Sequence, residues 1–301
     1  MKIAKVLKRC RVDKPRRFRL ADYDPAASFG LDIDADRMKA LLADGVARLA
    51  ALHERLYAQD RWAVLIILQG MDAAGKDSVI KHVMSGINPQ GCEVHGFKTP
   101  SEEELQHDFF WRASLRLPGR GRIGIFNRSY YEEVLVVRVH PELLAQERLP
   151  PEPTGKDLWR HRFEEICAFE RYLIDNGILV LKFHLRISRE EQRKRFLARL
   201  DHPGKRWKFS TADIAERARW NAYMDAFEDM IRATSTPHAP WYVVPADHKR
   251  VAWLVVAEAI VAALESLKPD FPKVRGKALA KLKRAERALR AQAPGTTKAK
   301  I

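Results

Sequence analysis

The feature that most limits what this chain can fold into is an unbroken apolar run, Trp62–Leu68 (WAVLIIL), followed almost at once by Gly70-Met71-Asp72-Ala73-Ala74-Gly75-Lys76. A short continuous apolar run reads as a strand buried on both faces, as in a parallel sheet covered by helices on either side. The residues after it fit the G-x-x-x-x-G-K spacing of a phosphate-binding loop. Glycines let backbone N–H groups wrap a phosphate, and a following helix, here patterned from Ser78 to about Ser85, adds its positive end. Lys76 would then reach the transferring phosphoryl group as a point charge. An ordinary strand–turn–helix with a solvated lysine is the competing reading. The placement between strand and helix favours the phosphate loop, with Gly70, Met71, Ala73, Ala74, Gly75, Asp77 and Ser78 as its binding segment.

Alternation continues along the chain. Apolar residues at helical spacing cover Arg37–Tyr57, and Glu93–Phe97 reads as a short strand. Ser101 with Glu104 forms a capping box that predicts a helix through Leu117. Arg122–Asn127 is a further buried strand, Pro141–Pro153 a proline-rich loop or small lid, and Trp159–Leu173 a helix stopped at Gly177. Ile178–Leu185 is the clearest strand. Ser188 with Glu191 caps the next helix, Asp201–Phe209 is a basic turn, and a helix then aligns Trp220, Tyr223, Phe227 and Ile231. Trp241–Pro245 is a last strand, Arg250–Leu267 a last core helix, and a basic helix from Lys273 frays after Pro294. This order predicts a three-layer α/β/α sandwich with a parallel central sheet and right-handed crossovers. It is read as a single domain over 1–301, with a basic irregular arm at 1–33, a helical lid at 188–235 and a basic C-terminal helix and tail at 273–301.

Lys and Arg number 54 against 39 Asp and Glu, a net charge of +15 over 301 residues. Such an excess points to an anionic partner. No apolar run approaches the ~18 residues of a membrane span. Cys10, Cys92 and Cys167 lie far apart in an odd number, which argues against a disulfide framework or zinc cluster and for a reduced, cytoplasmic protein.

Two carboxylates depart from the usual loop. Asp77 stands where Ser or Thr normally holds magnesium, and Asp72 sits inside the loop. Carboxylates beside a phosphate repel it unless metal ions lie between, so Asp72 reads as a metal ligand or phosphate positioner. Asp77 reads equally well as a first-turn carboxylate favouring the helix dipole. A second constellation follows the strand ending at Asn127, which occupies the place where an Asp is usual. Arg128 can clamp a phosphate, and Glu132 and Glu133 are candidates for the missing metal-facing carboxylate. A third is cationic: Arg193, Arg195, Arg199 and Lys208 on the lid, with Arg193 as a catalytic residue and the others, together with Lys81, as phosphate binders. Lys98, Arg112, Arg116, Arg120 and Arg122 extend the cations into a track for a long polyanion.

Taken together, LQGMDAAGKD, NPQG, HDFFWR, IGIFNRSYYEEVL, RVHPE, HLRISREEQRKRF and DHPGKRWKFS, spread from about Leu68 to Pro245, resemble the polyphosphate kinase 2 family. The resemblance implies a phosphate-loop nucleotide kinase fold and reversible transfer of a phosphoryl group between inorganic polyphosphate and a nucleotide. It implies Mg²⁺, with Mn²⁺ as a substitute, and places the family's loop carboxylate and lysine on Asp72 and Lys76 and its second-motif arginine on Arg128. The FNRSYYEEVL form resembles a subgroup accepting AMP and ADP, with GMP and GDP left open, and the family likeness implies a homotetramer. Two other readings stand beside it: an ATP-dependent kinase for a nucleotide or small molecule, and a nucleic-acid-binding protein with a vestigial loop, though no known recognition module is visible.

Overall fold

The computed structural model describes residues 3–31, 35–150 and 157–292. Five parallel strands form the central sheet in the order β2-β3-β1-β4-β5: β1 is Ala63–Gln69, β2 Cys92–Gly96, β3 Ile123–Asn127, β4 Ile178–Arg186 and β5 Trp241–Pro245. Every residue of β1 is buried, because this central strand has neighbours on both sides and helices on both faces. One helical layer is α1 (Ile3–Cys10), α2 (Ala35–Gln59), α3 (Lys76–Val83) and α10 (Lys249–Ser266), packed around α10. The opposite layer is α5 (Glu132–Val139), α6 (Leu158–Asp175) and α9 (Trp220–Thr234). The three-layer α/β/α sandwich read from the sequence is the architecture found.

Four readings change. The capping box at Ser101 and Glu104 forms in both directions, at 2.8 and 3.2 Å, but closes only the single turn Glu104–Gln106. Asp108 Oδ1 then accepts the Phe110 amide, a local bond that competes with helix, and only α4 (Trp111–Ser114) follows. The arm read as irregular begins with α1 and buries Val6, Cys10, Val12, Phe18 and Leu20 in the core. The span read as a lid also splits. α7 (Arg189–Asp201) and α8 (Ala212–Ala218) lie beyond the carboxyl ends of the strands, whereas α9 buries Trp220, Tyr223, Phe227, Met230 and Ile231 in the core. In the C-terminal segment α11 (Gly276–Ala291) has no buried residue. Finally, the Pro141–Pro153 stretch contains a 3₁₀ run over Pro141–Glu147. Pro151 to Pro153, and the expected fraying after Pro294, fall outside the described residues.

All three cysteines are unpaired. No helix among the described residues is long and apolar enough to cross a membrane.

Candidate active site

The phosphate loop leaves the carboxyl end of β1 at the point where strand order reverses, β3 lying on one side and β4 on the other. Crevices of open α/β sheets form at such a switch point. Gly70 is required by space: a Cβ there would stand 2.7 Å from the Leu185 carbonyl of β4, and its φ is +149°. Ala73 (φ +62°) and Arg128 (φ +65°) are non-glycine residues held in the left-handed region on facing loops, a strained state that the surroundings must impose.

What imposes it on the loop is a set of side chains that take up its carbonyls. Lys76 Nζ donates to the Gly70 and Met71 carbonyls at 2.7 and 3.3 Å. Gln192 Nε2 donates to the Asp72 carbonyl at 3.0 Å. Arg195 donates to the Ala73 and Ala74 carbonyls at 2.9 and 3.0 Å. Five consecutive carbonyls are thereby satisfied on one side. The amides of Asp72, Ala73, Gly75 and Lys76 have no acceptor among the described residues. A loop whose carbonyls are all engaged and whose N–H groups are open is a cradle for an oxyanion. Met71 and Ala74 contribute backbone only, since their side chains belong to the core.

Arg128 joins this loop to the second constellation. It donates to Asp72 Oδ1 at 2.6 Å and to Glu132 Oε2 at 3.2 Å. Asn127, at the end of β3, donates through Nδ2 to Asp77 Oδ1 at 2.7 Å. The two departures from the common pattern thus face each other and form one hydrogen bond. Burial pushes the Asp72 carboxyl up, but the charges of Lys76, Arg128 and Arg199 outweigh it and hold Asp72 below the usual carboxylate range. Burial and the Arg128 charge lower Lys76 to about 8, against Asp72, Glu132 and Asp77. Behind the loop, burial with Arg186 and Lys76 pushes His184 down to about 3, so that ring stays neutral.

Below Arg128 the turn Ser129–Tyr131 is tied into the core. Both tyrosine hydroxyls donate to Glu170 Oε1, at 3.0 and 2.7 Å. Fully buried Lys182 of β4 donates to Glu170 Oε2 at 2.5 Å and to the Thr234 carbonyl at 2.7 Å. On the β2–β3 flank a cavity of about 160 Å³ opens beside Arg128 and Glu132, lined also by Lys98, Thr99, Phe109 and Val136.

The structure does not bring the other nominated residues to the loop in the expected way. Arg195 has no donor left for a phosphate: its five N–H groups go to Glu191 and to the carbonyls of Ala73, Ala74, Ala246 and Asp247. Arg193 is exposed and paired with Glu190 at 2.8 Å, because it sits about 100° round the helix from Gln192. Arg199, half-buried on the same α7 stripe as Gln192 and Arg195, pairs with Asp213 at 3.8 Å and donates to the Lys208 carbonyl at 3.4 Å, near enough for its charge to lower Asp72. Glu133 is taken up by arginines. It lies buried between Arg112 and Arg162 at 3.7 and 3.6 Å, and burial with the neighbouring Glu147 raises it to about 7. Lys81 is exposed in the last turn of α3, and Lys208 is exposed over the Trp207 ring; neither touches the loop. Ser78 is half-buried on α3. The expected track through Arg120 and Arg122 fails, since Arg122 precedes β3 and pairs with Glu93, and Arg120 caps the Arg61 carbonyl. Those cations lie at the amino ends of the strands, about 16 Å of sheet from the loop. Residues that the sequence reading did not nominate are Gln192 and the pair Glu216 and Tyr223, which line a small pocket with Gly70, Asp72 and Arg128, the Tyr223 hydroxyl donating to Glu216 Oε2 at 2.5 Å. Gln192 lies three residues before Arg195 and seven before Arg199, a helical stripe visible in the sequence.

Comparison with known proteins agrees with this geometry. The profile of "Polyphosphate kinase 2" matches residues 32–272. The chain is 56% identical over 233 residues to an ADP-polyphosphate phosphotransferase of Rhodopseudomonas palustris, covering 77% of this chain and 81% of that one. It is 42% identical to an AMP/ADP-polyphosphate phosphotransferase of Meiothermus ruber, over 88% of this chain and 96% of that one. The crystal structure of polyphosphate kinase 2 from Arthrobacter aurescens superposes with a TM-score of 0.85 at 40% identity, covering 97% of this chain and 98% of that chain. A loop of open amides at the switch point, flanked by an arginine–aspartate pair, therefore sits in a chain that belongs to the polyphosphate kinase 2 family.

Proposed function

We propose that this chain transfers the terminal phosphoryl group of inorganic polyphosphate to AMP or ADP. The bond from the terminal phosphorus to its bridging oxygen breaks, a bond to a terminal oxygen of the nucleotide forms, and the donor shortens by one unit. Run backward, the same step lengthens polyphosphate. The observation that carries the reading is the loop itself, five carbonyls withdrawn and four amides open beside the Asp72–Arg128 pair. No protein nucleophile is needed, because positioning and charge neutralisation suffice for in-line transfer.

In this reading the open amides hold the oxygens of the transferring group. Lys76 leaves the Gly70 and Met71 carbonyls to meet it, and Arg128 turns from Glu132 to the acceptor phosphate. Arg199 approaches from α7 to neutralise the remaining charge. The cavity on the β2–β3 flank takes the nucleoside. A divalent ion fits the donor set present: Mg²⁺ takes one or two carboxylates together with substrate phosphates and water. Asp72 and Asp77 would hold it, with Glu132 in reserve, and Mn²⁺ takes the same oxygens. When bound, the ion screens the negative charges that the two phosphates bring together. An oligomeric, cytoplasmic protein belongs to the same reading and rests on the family resemblance.

The test is product analysis by chromatography. Protein is given AMP, ADP, GMP or GDP with polyphosphate, without ATP, with and without Mg²⁺ or Mn²⁺. ADP and ATP should form from AMP and ADP, and Lys76→Ala should lose on the order of 10³-fold or more in kcat. Phosphorylation that requires ATP and ignores polyphosphate would replace this reading with an ordinary kinase.

A further inference from the structure

The positive charge of this chain is concentrated where the motifs do not lie. Residues 1–31 carry nine Lys and Arg against three Asp. The arm is fixed in place: the Val12 amide donates to the Trp241 carbonyl at 2.9 Å, the Ser235 hydroxyl to the Val12 carbonyl at 2.9 Å, and the Leu20 amide to Glu228 at 2.7 Å. Its apolar residues Val6, Val12, Phe18 and Leu20 point into the core, so its cations are left outside. Between the arm and the carboxyl ends of β4 and β5 lies a cleft of about 720 Å³. Seven Lys and Arg side chains line it against three Asp. Arg11 pairs with Asp13 and Arg19 with Asp22, whereas Lys8, Lys14 and Arg17 have no ion pair among the described residues. Arg186 donates through Nε to the Tyr23 carbonyl, and its two terminal nitrogens have no partner among the described residues.

The cleft begins next to the phosphate loop. Arg186 follows Leu185, the residue whose carbonyl abuts Gly70. Pro245 lines the cleft, and the next two carbonyls, of Ala246 and Asp247, hold the arginine that clamps the loop. The sheet order places the cavity assigned above to the nucleoside on the β2–β3 flank, the loop at β1 and the basic cleft on the β4–β5 flank. Attacking and leaving oxygens must be roughly in line across the transferring phosphorus. Acceptor and donor therefore have to approach the loop from opposite flanks.

We infer that the N-terminal arm and the carboxyl ends of β4 and β5 form an accessory polyphosphate site, which holds the donor chain beyond the units at the phosphate loop. This rests on the function proposed above. The cleft favours a flexible inorganic polyanion over nucleic acid, since its three aromatic rings are all engaged: Phe18 is buried, Tyr23 is half-buried against it at 5.2 Å, and the Phe29 ring lies under Arg9 at 5.7 Å.

The test uses the full chain and the triple variant Lys8→Gln, Lys14→Gln, Arg17→Gln, whose side chains are all exposed. Steady-state transfer to ADP is measured with long polyphosphate and with tripolyphosphate. KM for the long donor should rise about tenfold, as three exposed charge contacts of ordinary strength are lost. KM for tripolyphosphate and kcat with either donor should stay put. In the parent, KM for the long donor should climb more steeply with salt than KM for tripolyphosphate, because more counterions are released. Equal rises with both donors, or no rise with either, overturn the inference, as does loss of duplex DNA binding in the variant with the long-donor KM unmoved. A parent that transfers nothing from polyphosphate would instead refute the function proposed above.

Discussion

Replacing Arg195 by Met removes the five donors while keeping a stem of similar length to pack. Four backbone carbonyls and Glu191 lose their partner, and the contacts to Ala74 and Ala246 are buried ones. Hydrogen bonds from a charged group contribute about 1.5–3 kcal/mol each. Water can reach Ala73 and Asp247, where the bonds are only part-buried, so those losses are softened. The two buried bonds set the scale, and the expected destabilisation is about 3 kcal/mol. At about 2 °C per kcal/mol for a chain of this length, Tm should fall by about 6 °C. Urea unfolding followed by tryptophan fluorescence reads the first number, with buried Trp220 and Trp241 as reporters. Steady-state kinetics should show kcat falling with every donor, because a loop that loses its clamp no longer presents its amides together. Arg193→Met, made alongside, should move stability by under about 0.5 kcal/mol, as expected of an exposed pair. If Arg195→Met left stability intact and raised only the donor KM, Arg195 would be a phosphate contact after all and the clamp would be wrong.

Two further outcomes follow from the same geometry. Lys76 must be charged to meet a phosphoryl group and is lowered to about 8 in the free protein, so kcat/KM should fall as pH rises through about 8. The fall in kcat should come at higher pH, since bound phosphate favours the ammonium; a kcat/KM flat to pH 10 would refute this. Lys182→Met strands the Glu170 carboxylate in a fully buried place and should cost about 3–5 kcal/mol in urea unfolding. Adding Glu170→Gln removes the stranded charge while its amide oxygen still accepts from Tyr130 and Tyr131, so much of that loss should return; a double variant no better than the single would show that the stranded charge is not the cause.

The sheet was legible because its central strands are apolar without alternation, and only a strand covered on both faces needs that pattern. β1, β3, β4 and β5 lie within a residue or two of their expected bounds for this reason. The capping box at Ser101 shows where local rules stop. Its reciprocal hydrogen bonds form as expected, yet they nucleate one turn, because Asp108 offers the backbone a rival partner and Phe110 turns inward toward Tyr130 and Phe169. The arm was legible in part. It reads as a basic, irregular segment lying on the domain, and what the density of Lys and Arg hides is the helix α1 that opens it and the packing of Val6, Val12, Phe18 and Leu20.

Within the site, what could be read was whatever a contiguous motif dictates. Gly70 to Lys76 and Asn127–Arg128 lie at strand ends, and neighbouring strand ends must meet. The lid cations belong to a different class, because a helix presents only one face and residue type does not say which. Arg193, Arg195 and Arg199 are chemically equivalent in the sequence, yet the first faces solvent, the second is spent on backbone carbonyls and the third looks toward Asp72. Weighing the spacing of Gln192, Arg195 and Arg199 would have excluded Arg193. It would not have separated the other two, since that depends on which carbonyls the loop and the segment after β5 bring within reach. An arginine that neutralises a reacting phosphate has to keep donors free in the resting protein. Arg195, the most deeply embedded of the three, is therefore the least able to do so, whereas Arg199 engages Nη1 alone, toward Asp213 at 3.8 Å and the Lys208 carbonyl at 3.4 Å.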